Sequence, residues 1–406
     1  MKKSLLALAA LSAIAGAAQA QSSVTVYGIL DVGYIGSNSR VSAQPAVTKT
    51  ETSQLGQSAE QTSRLGFKGT EDLGNGASAF FTAEFYLYPQ DSSLSGNSTG
   101  GLQNRQTFVG LKKNGIGQVA VGLQYTPIFN AGAATSAGQY NNMLGDLVYA
   151  GSTTAANSGN GAVSAGFTNR VSNSLTLQSD KFAGFTGSVL VTQNNTNTTE
   201  TGTAAAPVGG NTNASGWGLG LDYTYNKFYI AGAYQALKQL TTATNVGTGA
   251  ASVPWSGAQP SAPVAVSPAA NNALNIQDNQ GFVGATYDFG ILKAYAQYVT
   301  RTATSTTSSN YYVKRSAEQI GVRSFITPTI EAWGSAGLGR YTGYGSGTPT
   351  ANFNGWQLGS NYYLSKRTNL YAIYGQQLFS NANVGGTVGT VSAGANNYAI
   401  GMRHTF

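Results

Sequence analysis

Trp217-Gly218-Leu219-Gly220-Leu221-Asp222-Tyr223-Thr224-Tyr225-Asn226 decides the fold. Its odd positions hold Trp, Leu, Leu, Tyr and Tyr, and its even positions hold Gly, Gly, Asp, Thr and Asn. A period of two gives an extended strand one apolar face and one small or polar face. The same alternation recurs over 119–126, 356–364 and 398–406. After Ala20 no stretch of useful length carries the period near 3.6 of an amphipathic helix.

Composition narrows where such strands can live. At 406 residues the length alone suggests two or three soluble domains. Charged residues are 9% of the chain, too few for an ordinary solvated surface, which carries about 25%. Yet hydrophobic residues are 41% and mean hydropathy is −0.13, so the chain is not greasy overall. A low-complexity secreted chain, an extracellular β-protein and a barrel facing lipid all fit. Cysteine is absent, which excludes disulfides, thiolate metal sites and a cysteine nucleophile. The single His404 excludes a His-rich zinc site, and no metal or other cofactor is expected. Net charge is +7 with no basic run, so nucleic acid is not an expected partner.

The N-terminus reads Met1-Lys2-Lys3, then an apolar stretch from Leu5 to Ala18, then Ala18-Gln19-Ala20. A basic start, a short apolar run and a small-x-small site make a cleavable export signal. We therefore expect a signal over residues 1–20 and one domain over 21–406. No later stretch is long and apolar enough for a transmembrane helix. A membrane-resident mature chain must then be a closed barrel, because only helices and barrels satisfy every backbone group in lipid.

Period-two segments fall at about 24–35, 62–71, 77–88, 103–113, 117–126, 166–179, 184–194 and 215–226. A second set falls at about 227–238, 279–289, 291–301, 313–325, 329–342, 352–364, 369–379 and 397–406. The sixteen segments predict an all-β, 16-stranded antiparallel transmembrane β-barrel. Alternation is untidy in the fourth, twelfth, thirteenth and fifteenth. Connections after even strands are tight, as in 72–76, 114–116, 181–183 and 226–227. Those after odd strands are long: 36–61, 89–102, 127–165, 195–214, 239–278, 302–312, 343–351 and 380–396. Short turns at one rim and long loops at the other are the asymmetry of short periplasmic turns and long external loops. Tyr34, Tyr86, Tyr125, Tyr223, Tyr225, Tyr234, Tyr287, Tyr298 and Tyr362 sit toward strand ends on the apolar face, as candidate girdle residues. The ordinary β-propensity of tyrosine is the other explanation.

Several motifs carry a family likeness. They are 23–31 (SVTVYGILD), 63–74 (SRLGFKGTEDLG), 105–111 (RQTFVGL), 122–127 (GLQYTP), 364–368 (LSKRT) and 401–406 (GMRHTF). Through them the chain resembles the general diffusion porins of Gram-negative outer membranes, in the beta-proteobacterial branch. The resemblance implies a sixteen-stranded barrel, usually a homotrimer, with its third long loop folded inward. It implies that Phe406 is the terminal aromatic used by the outer-membrane assembly machinery. It places Arg64, Arg105 and Arg170 in the arginine cluster of a constriction wall. Relatives often carry a basic residue where Leu123 stands, so this pore is expected to be less basic than some.

Alternation assigns charges to such a lumen. Arg64 and Lys68 oppose Leu65 and Phe67, and Arg170 shares a face with Ser172, Ser174 and Thr176. All three should point inward, although an arginine on a strand can also snorkel to an interface. Arg105 is ambiguous, because its face includes Val109 and Leu111. Asp31, Glu84, Asp222 and Asp288 fall on the polar face, as do Lys293, Arg301, Arg323 and Arg403. The third loop carries one charge, Asp146. Asp31 and Asp146 have two readings: an acidic side facing the arginines, or anchors for loop backbone. The balance points to a water-filled channel for small hydrophilic solutes and ions, with moderate anion preference. A solute-specific channel is the alternative. A surface adhesin and a barrel enzyme are weaker, since His404 lies on the apolar face and no catalytic residues are expected.

Overall fold

The computed structural model describes residues 23–43, 45–94, 96, 101–150, 164–198, 210–241, 276–305, 312–343, 350–381, 383–384, 387–388 and 391–406. The expected export signal over 1–20 lies outside the described residues, as does much of the loops 195–214, 239–278, 302–312, 343–351 and 380–396.

The described strands, in chain order, are β1 (Ser23–Ala43), β2 (Ala46–Gln57), β3 (Arg64–Gly74), β4 (Ala77–Tyr86), β5 (Asn104–Lys113), β6 (Gly117–Tyr125), β7 (Arg170–Ser179), β8 (Phe185–Thr198), β9 (Gly210–Tyr225) and β10 (Phe228–Thr241). They continue with β11 (Ile276–Asp288), β12 (Lys293–Ser305), β13 (Tyr312–Phe325), β14 (Ile330–Gly343), β15 (Thr350–Tyr363), β16 (Thr368–Phe379), β17 (Asn383–Val384), β18 (Thr387–Val388) and β19 (Val391–Thr405). One helix, α1 (Pro127–Thr135), is described.

β1, β3 to β16 and β19 make the wall. Each pairs antiparallel with its neighbours, and β19 returns to β1 from Ile29↔Thr405 to Ala43↔Val391. The sheet is therefore a closed ring of sixteen strands. Closure removes the edge strands, so the wall leaves no row of unpaired N–H and C=O groups to face lipid. All sixteen expected strands occur, and the all-β barrel expected from the sequence is the observed architecture.

Side-chain exposure follows the alternation. Leu219, Leu221, Val109, Ile320 and Ile400 are exposed on the outside of the wall. Aromatic rings gather toward both rims of that face. Near the loops, Trp217 meets Tyr234 at 5.5 Å and Tyr34 meets Tyr398 at 6.2 Å. Near the turns, Phe185 meets Tyr223 at 4.4 Å and Tyr287 meets Phe289 at 4.7 Å. Trp217 and Tyr225 share β9 about 26 Å apart along the strand, which at a barrel tilt of about 40° is roughly 20 Å of membrane depth, most of the height of an outer-membrane apolar band.

The turn rim is built from short hairpins. Asn75 and Gly76 join β3 to β4 with φ of 51° and 70°. Two successive positive φ values are what a two-residue hairpin turn demands, and Asn-Gly supplies them at low strain.

Two expectations need correction. The connection 36–61 is mostly not loop, because β1 runs on to Ala43 and pairs with β2 from Val32↔Gln57 to Ala43↔Ala46. Here Val41 and Val47 continue the strand pattern on a hairpin that extends the wall. The second correction is α1, a helix where none was expected. Thr126 caps it by accepting from Phe129 N at 3.2 Å, and Pro127 occupies its first turn. These are sequence signals for a helix start that need no amphipathic period.

The barrel is too wide for its own side chains to fill. The described part of the third long connection, L3 (residues 126–150 and 164–169), fills part of it. Helix α1 packs inside the wall against β9, β10 and β11. The wall thins where L3 touches it: a Cβ on Gly284 would lie 2.4 Å from Thr135 Oγ1, and one on Gly375 would lie 1.8 Å from Leu144 O. We predict that Gly375→Leu lowers stability by about 1–3 kcal/mol through overpacking against L3. The check is the temperature at which the folded, heat-modifiable band is lost in electrophoresis; an unchanged temperature would show that L3 does not rest on this strand.

Candidate functional site: a gap between an arginine wall and an inward loop

A loop inside a barrel must find partners for its backbone groups. The wall supplies them with neutral amides. Gln357 Nε2 donates to Met143 O at 2.8 Å and Leu144 O at 2.5 Å. Asn397 Oδ1 accepts from Leu144 N at 3.0 Å, and Gln319 Oε1 accepts from Leu147 N at 2.8 Å. Gln297 Nε2 donates to Gly132 O at 2.9 Å, and Gln280 Oε1 accepts from Thr168 N at 2.7 Å. Amides serve because each offers both donors and an acceptor.

Three arginines on the far wall add to this hold. Arg301 donates to Ser164 O at 2.8 Å, Arg323 to Ala137 O at 2.6 Å and Arg315 to Leu147 O at 2.5 Å. Arg301 is neutralised bidentately by Asp278, at 3.1 and 2.6 Å, and Arg323 by Glu331. Arg315 instead lies over the rings of Tyr341 and Phe353. Arg403 pairs with Glu60 at 3.5 Å. These inward basic residues are therefore mostly spent on the fold, which the balance read from sequence did not anticipate.

The other wall is different. Arg64, Arg105 and Arg170 come together on β3, β5 and β7, the first two around one carboxylate, Glu84 of β4. Arg105 Nε donates to Glu84 Oε1 at 2.8 Å, while Arg64 Nη1 stands 3.9 Å from Glu84 Oε2. Arg170 donates to Tyr86 Oη at 2.5 Å and to Arg105 O at 3.1 Å, with its Nε buried and unpartnered. Tyr86 lies under both guanidiniums, 4.7 Å from Arg105 and 5.3 Å from Arg170. Three guanidiniums against one carboxylate leave the cluster positive. Lys68 extends it toward the turn rim, exposed in the lumen with Nζ 5.3 Å from the centre of the Tyr27 ring.

Two irregularities build the cluster. Pairing of β4 with β5 runs Glu84↔Gln106 and then Phe85↔Asn104, so Arg105 is an extra residue. This bulge explains the ambiguity at Arg105: it turns the side chain inward although Val109 and Leu111 on the same count face outward. A second bulge separates Gly122↔Ser174 from Gln124↔Val171 and seats Tyr125 opposite Arg170. It also moves Tyr125 inside, where Arg105 Nη2 donates to its hydroxyl at 2.9 Å. Tyr125, through this bulge, and Tyr86, which shares the inward face of Glu84 two residues away, are not the girdle residues expected of them. Tyr34, Tyr225, Tyr234, Tyr287, Tyr298 and Tyr362 are exposed on the outer face.

Opposite the cluster stands an uncharged face of L3. A cavity of about 200 Å³ separates them, lined by the three arginines and Tyr125 on one side and by Phe129, Ala133, Gln139, Tyr140 and Tyr149 on the other. Phe129 stacks on Tyr125 with centroids 3.9 Å apart, and Tyr140 stacks on Tyr149 at 4.2 Å. Sequence reasoning missed these loop aromatics, because a loop has no alternation to assign its side chains.

Of the two readings open for Asp31 and Asp146, the structure takes the anchoring one. Asp31 Oδ2 accepts from Glu60 N at 2.9 Å and Gln61 N at 2.6 Å, and Oδ1 accepts from Tyr371 at 2.5 Å. Asp146 Oδ1 accepts from Val148 N at 3.0 Å and Tyr149 N at 2.9 Å, and Ser136 donates to Oδ2 at 3.3 Å. Both are fully buried, so neither forms an acidic side facing the arginines.

A model of the Gram-negative porin family matches residues 7–383. The chain belongs to the Gram-negative porin family. Among related porins, the major outer membrane protein P.IB of Neisseria gonorrhoeae is 36% identical over 191 residues, 47% of each chain. Outer membrane porin protein 32 of Delftia acidovorans is 42% identical over 129 residues, 31% of this chain and 33% of that one. These matches span less than half the length of the curated relatives. The solved structure of an anion-selective porin from Comamonas acidovorans superposes with a TM-score of 0.62 at 18% identity, covering 95% of this chain and 100% of that one. OmpT of Vibrio cholerae in its trimer form gives 0.56 at 13% identity, covering 95% and 99%. At these identities the likeness shows the shared barrel fold. Porin membership places the chain in the outer membrane.

Burial pushes the Asp146 carboxyl up from its ordinary value of 3.8, against the pull of its backbone donors. A raised folded-state value means the protonated loop is the more stable form. Its contribution is complete below the ordinary carboxylate range and is lost as pH rises through the raised value. We predict that Asp146→Asn, compared with the parent chain over a pH series of thermal melts, removes this decline. Parallel melting curves would contradict it.

Proposed function

We propose that the protein is a passive channel for small hydrophilic solutes and ions, with anions favoured. The carrying observation is the gap itself. Three arginines line one side of the cavity, with the buried Glu84 carboxylate paired to two of them, and the other side has no charge. A positive wall bordering a narrow aqueous path concentrates anions and repels cations. Lys68 continues the positive lining beyond the gap. The Comamonas structure of the same fold is described as anion-selective, which supports the reading.

The remaining parts follow from family membership. Tight turns face the periplasm and long connections face the exterior. The functional unit is a trimer, supported by the trimeric form of the Vibrio protein. The Phe406 ring lies across Gly28 on the outer face, and its backbone exchanges hydrogen bonds with Gly28 at 3.1 Å. There it serves as the terminal signal for assembly. The first twenty residues direct export and are removed. Catalysis is not part of the role: His404 lies on the outer face with Thr368 Oγ1 2.9 Å from Nδ1.

Reversal potential in a potassium chloride gradient tests this directly. The parent channel should favour chloride, and Arg64→Gln with Arg170→Gln should lower the chloride-to-potassium permeability ratio severalfold. The ratio should also fall toward unity at high salt, where charges are screened. Cation preference, or a ratio unmoved by the double substitution, would contradict the proposal.

A further inference from the structure

The gap carries more than positive charge. Simple attraction of inorganic anions needs only the arginines, yet the path beside them is walled by stacked rings. We propose that this gap is a binding subsite for planar aromatic carboxylates, which rests on the reading of the protein as a channel. The carboxylate would meet Arg64 and Arg105 while the ring lies against Phe129 and Tyr125.

The geometry is specific on each count. Arg64 keeps 20% of its side-chain surface exposed and gives only its Nε to Thr62 O, at 2.8 Å, with Glu84 at the edge of ion-pair distance. Its terminal nitrogens are open to a further acceptor. Two guanidiniums sharing one carboxylate favour the arrival of a second, because charge-assisted hydrogen bonds to a planar carboxylate suit their fork. Phe129 and Tyr125 are both half-buried, so their stacked pair leaves ring surface facing the cavity. Tyr125 joins the halves, since its ring stacks on Phe129 while its hydroxyl takes the Arg105 hydrogen bond. The loop side adds Ala133 and Gln139, small or neutral groups that neither repel an anion nor compete for the arginines. The cavity of about 200 Å³ suits one single-ring solute rather than a chain of them. A solute with both a ring and a carboxylate satisfies both walls at once, whereas acetate or benzyl alcohol satisfies one.

The test uses full-length protein in planar bilayers carrying a chloride current, with benzoate, acetate and benzyl alcohol as probes. Benzoate should reduce the current in a saturable, concentration-dependent way, and acetate and benzyl alcohol at equal concentration should not. Phe129→Ala should weaken benzoate block roughly two- to tenfold, the size of one aromatic contact. Phe129→Leu keeps apolar bulk in place should the alanine variant fold poorly, and it too should weaken the block. Equal block by acetate and benzoate, equal block by benzyl alcohol, or unchanged block in both variants would overturn the subsite. A protein giving no conductance at all would overturn the channel reading instead, so the two failures are told apart.

Discussion

The ladder between β1 and β19 is the interaction on which everything else depends. It turns a sheet that would expose two edges to hydrocarbon into a ring in which each wall strand is paired on both sides. Closing sixteen strands then sets the diameter, and that diameter exceeds what inward side chains can fill. The molecule meets this by folding L3 inside. A loop placed there needs hydrogen-bond partners, and the wall provides them from Gln280, Gln297, Gln319, Gln357 and Asn397. The lumen's chemistry is thus divided: a far wall devoted to holding the loop, and a near wall left free to face the solute path.

The same division decides which charges matter. Arg301 and Arg323 face inward, but Asp278 and Glu331 neutralise them where they clamp the loop. Buried pairs of this kind fix geometry more than they add field. Arg64 and Arg105 share a single acid, Arg170 has none among the described residues, and all three border the cavity, so their charge is the part felt by a passing ion. The scarcity of charge in the chain is therefore a matter of placement: few residues are charged, and three of the basic ones gather beside the gap.

Much of this was legible in the sequence because a strand's period is two and lipid penalises any error in it. The sixteen strands, the short turns, and the inward direction of Arg64, Lys68 and Arg170 all follow from alternation alone. The sequence reading failed where alternation fails. Arg105 and Tyr125 sit at bulges, each shifting the count by one, whereas Tyr86 lies two residues from Glu84 in unbroken register with β3, on the inward face that Glu84 already marks. The untidy pattern in β5 was itself the trace of the bulge at Arg105. L3 was opaque for another reason. Its Asp146, Tyr140 and Tyr149 take their positions from contacts with distant strands, and helix α1 is announced only by Thr126-Pro127. The acids that neutralise Arg301 and Arg323 are likewise long-range or cross-strand partners, which a one-dimensional pattern does not pair.

The central claim is that L3 lies inside the barrel and faces the arginine cluster across the solute path. The chain has no cysteine, so a single Gln139→Cys is a unique thiol on the cavity-lining face of the loop. The most direct measurement is single-channel current before and after this thiol is modified by a bulky, membrane-impermeant thiosulfonate. The structure predicts a clear fall in current as the adduct fills the gap. A channel that is labelled yet conducts as before would contradict it.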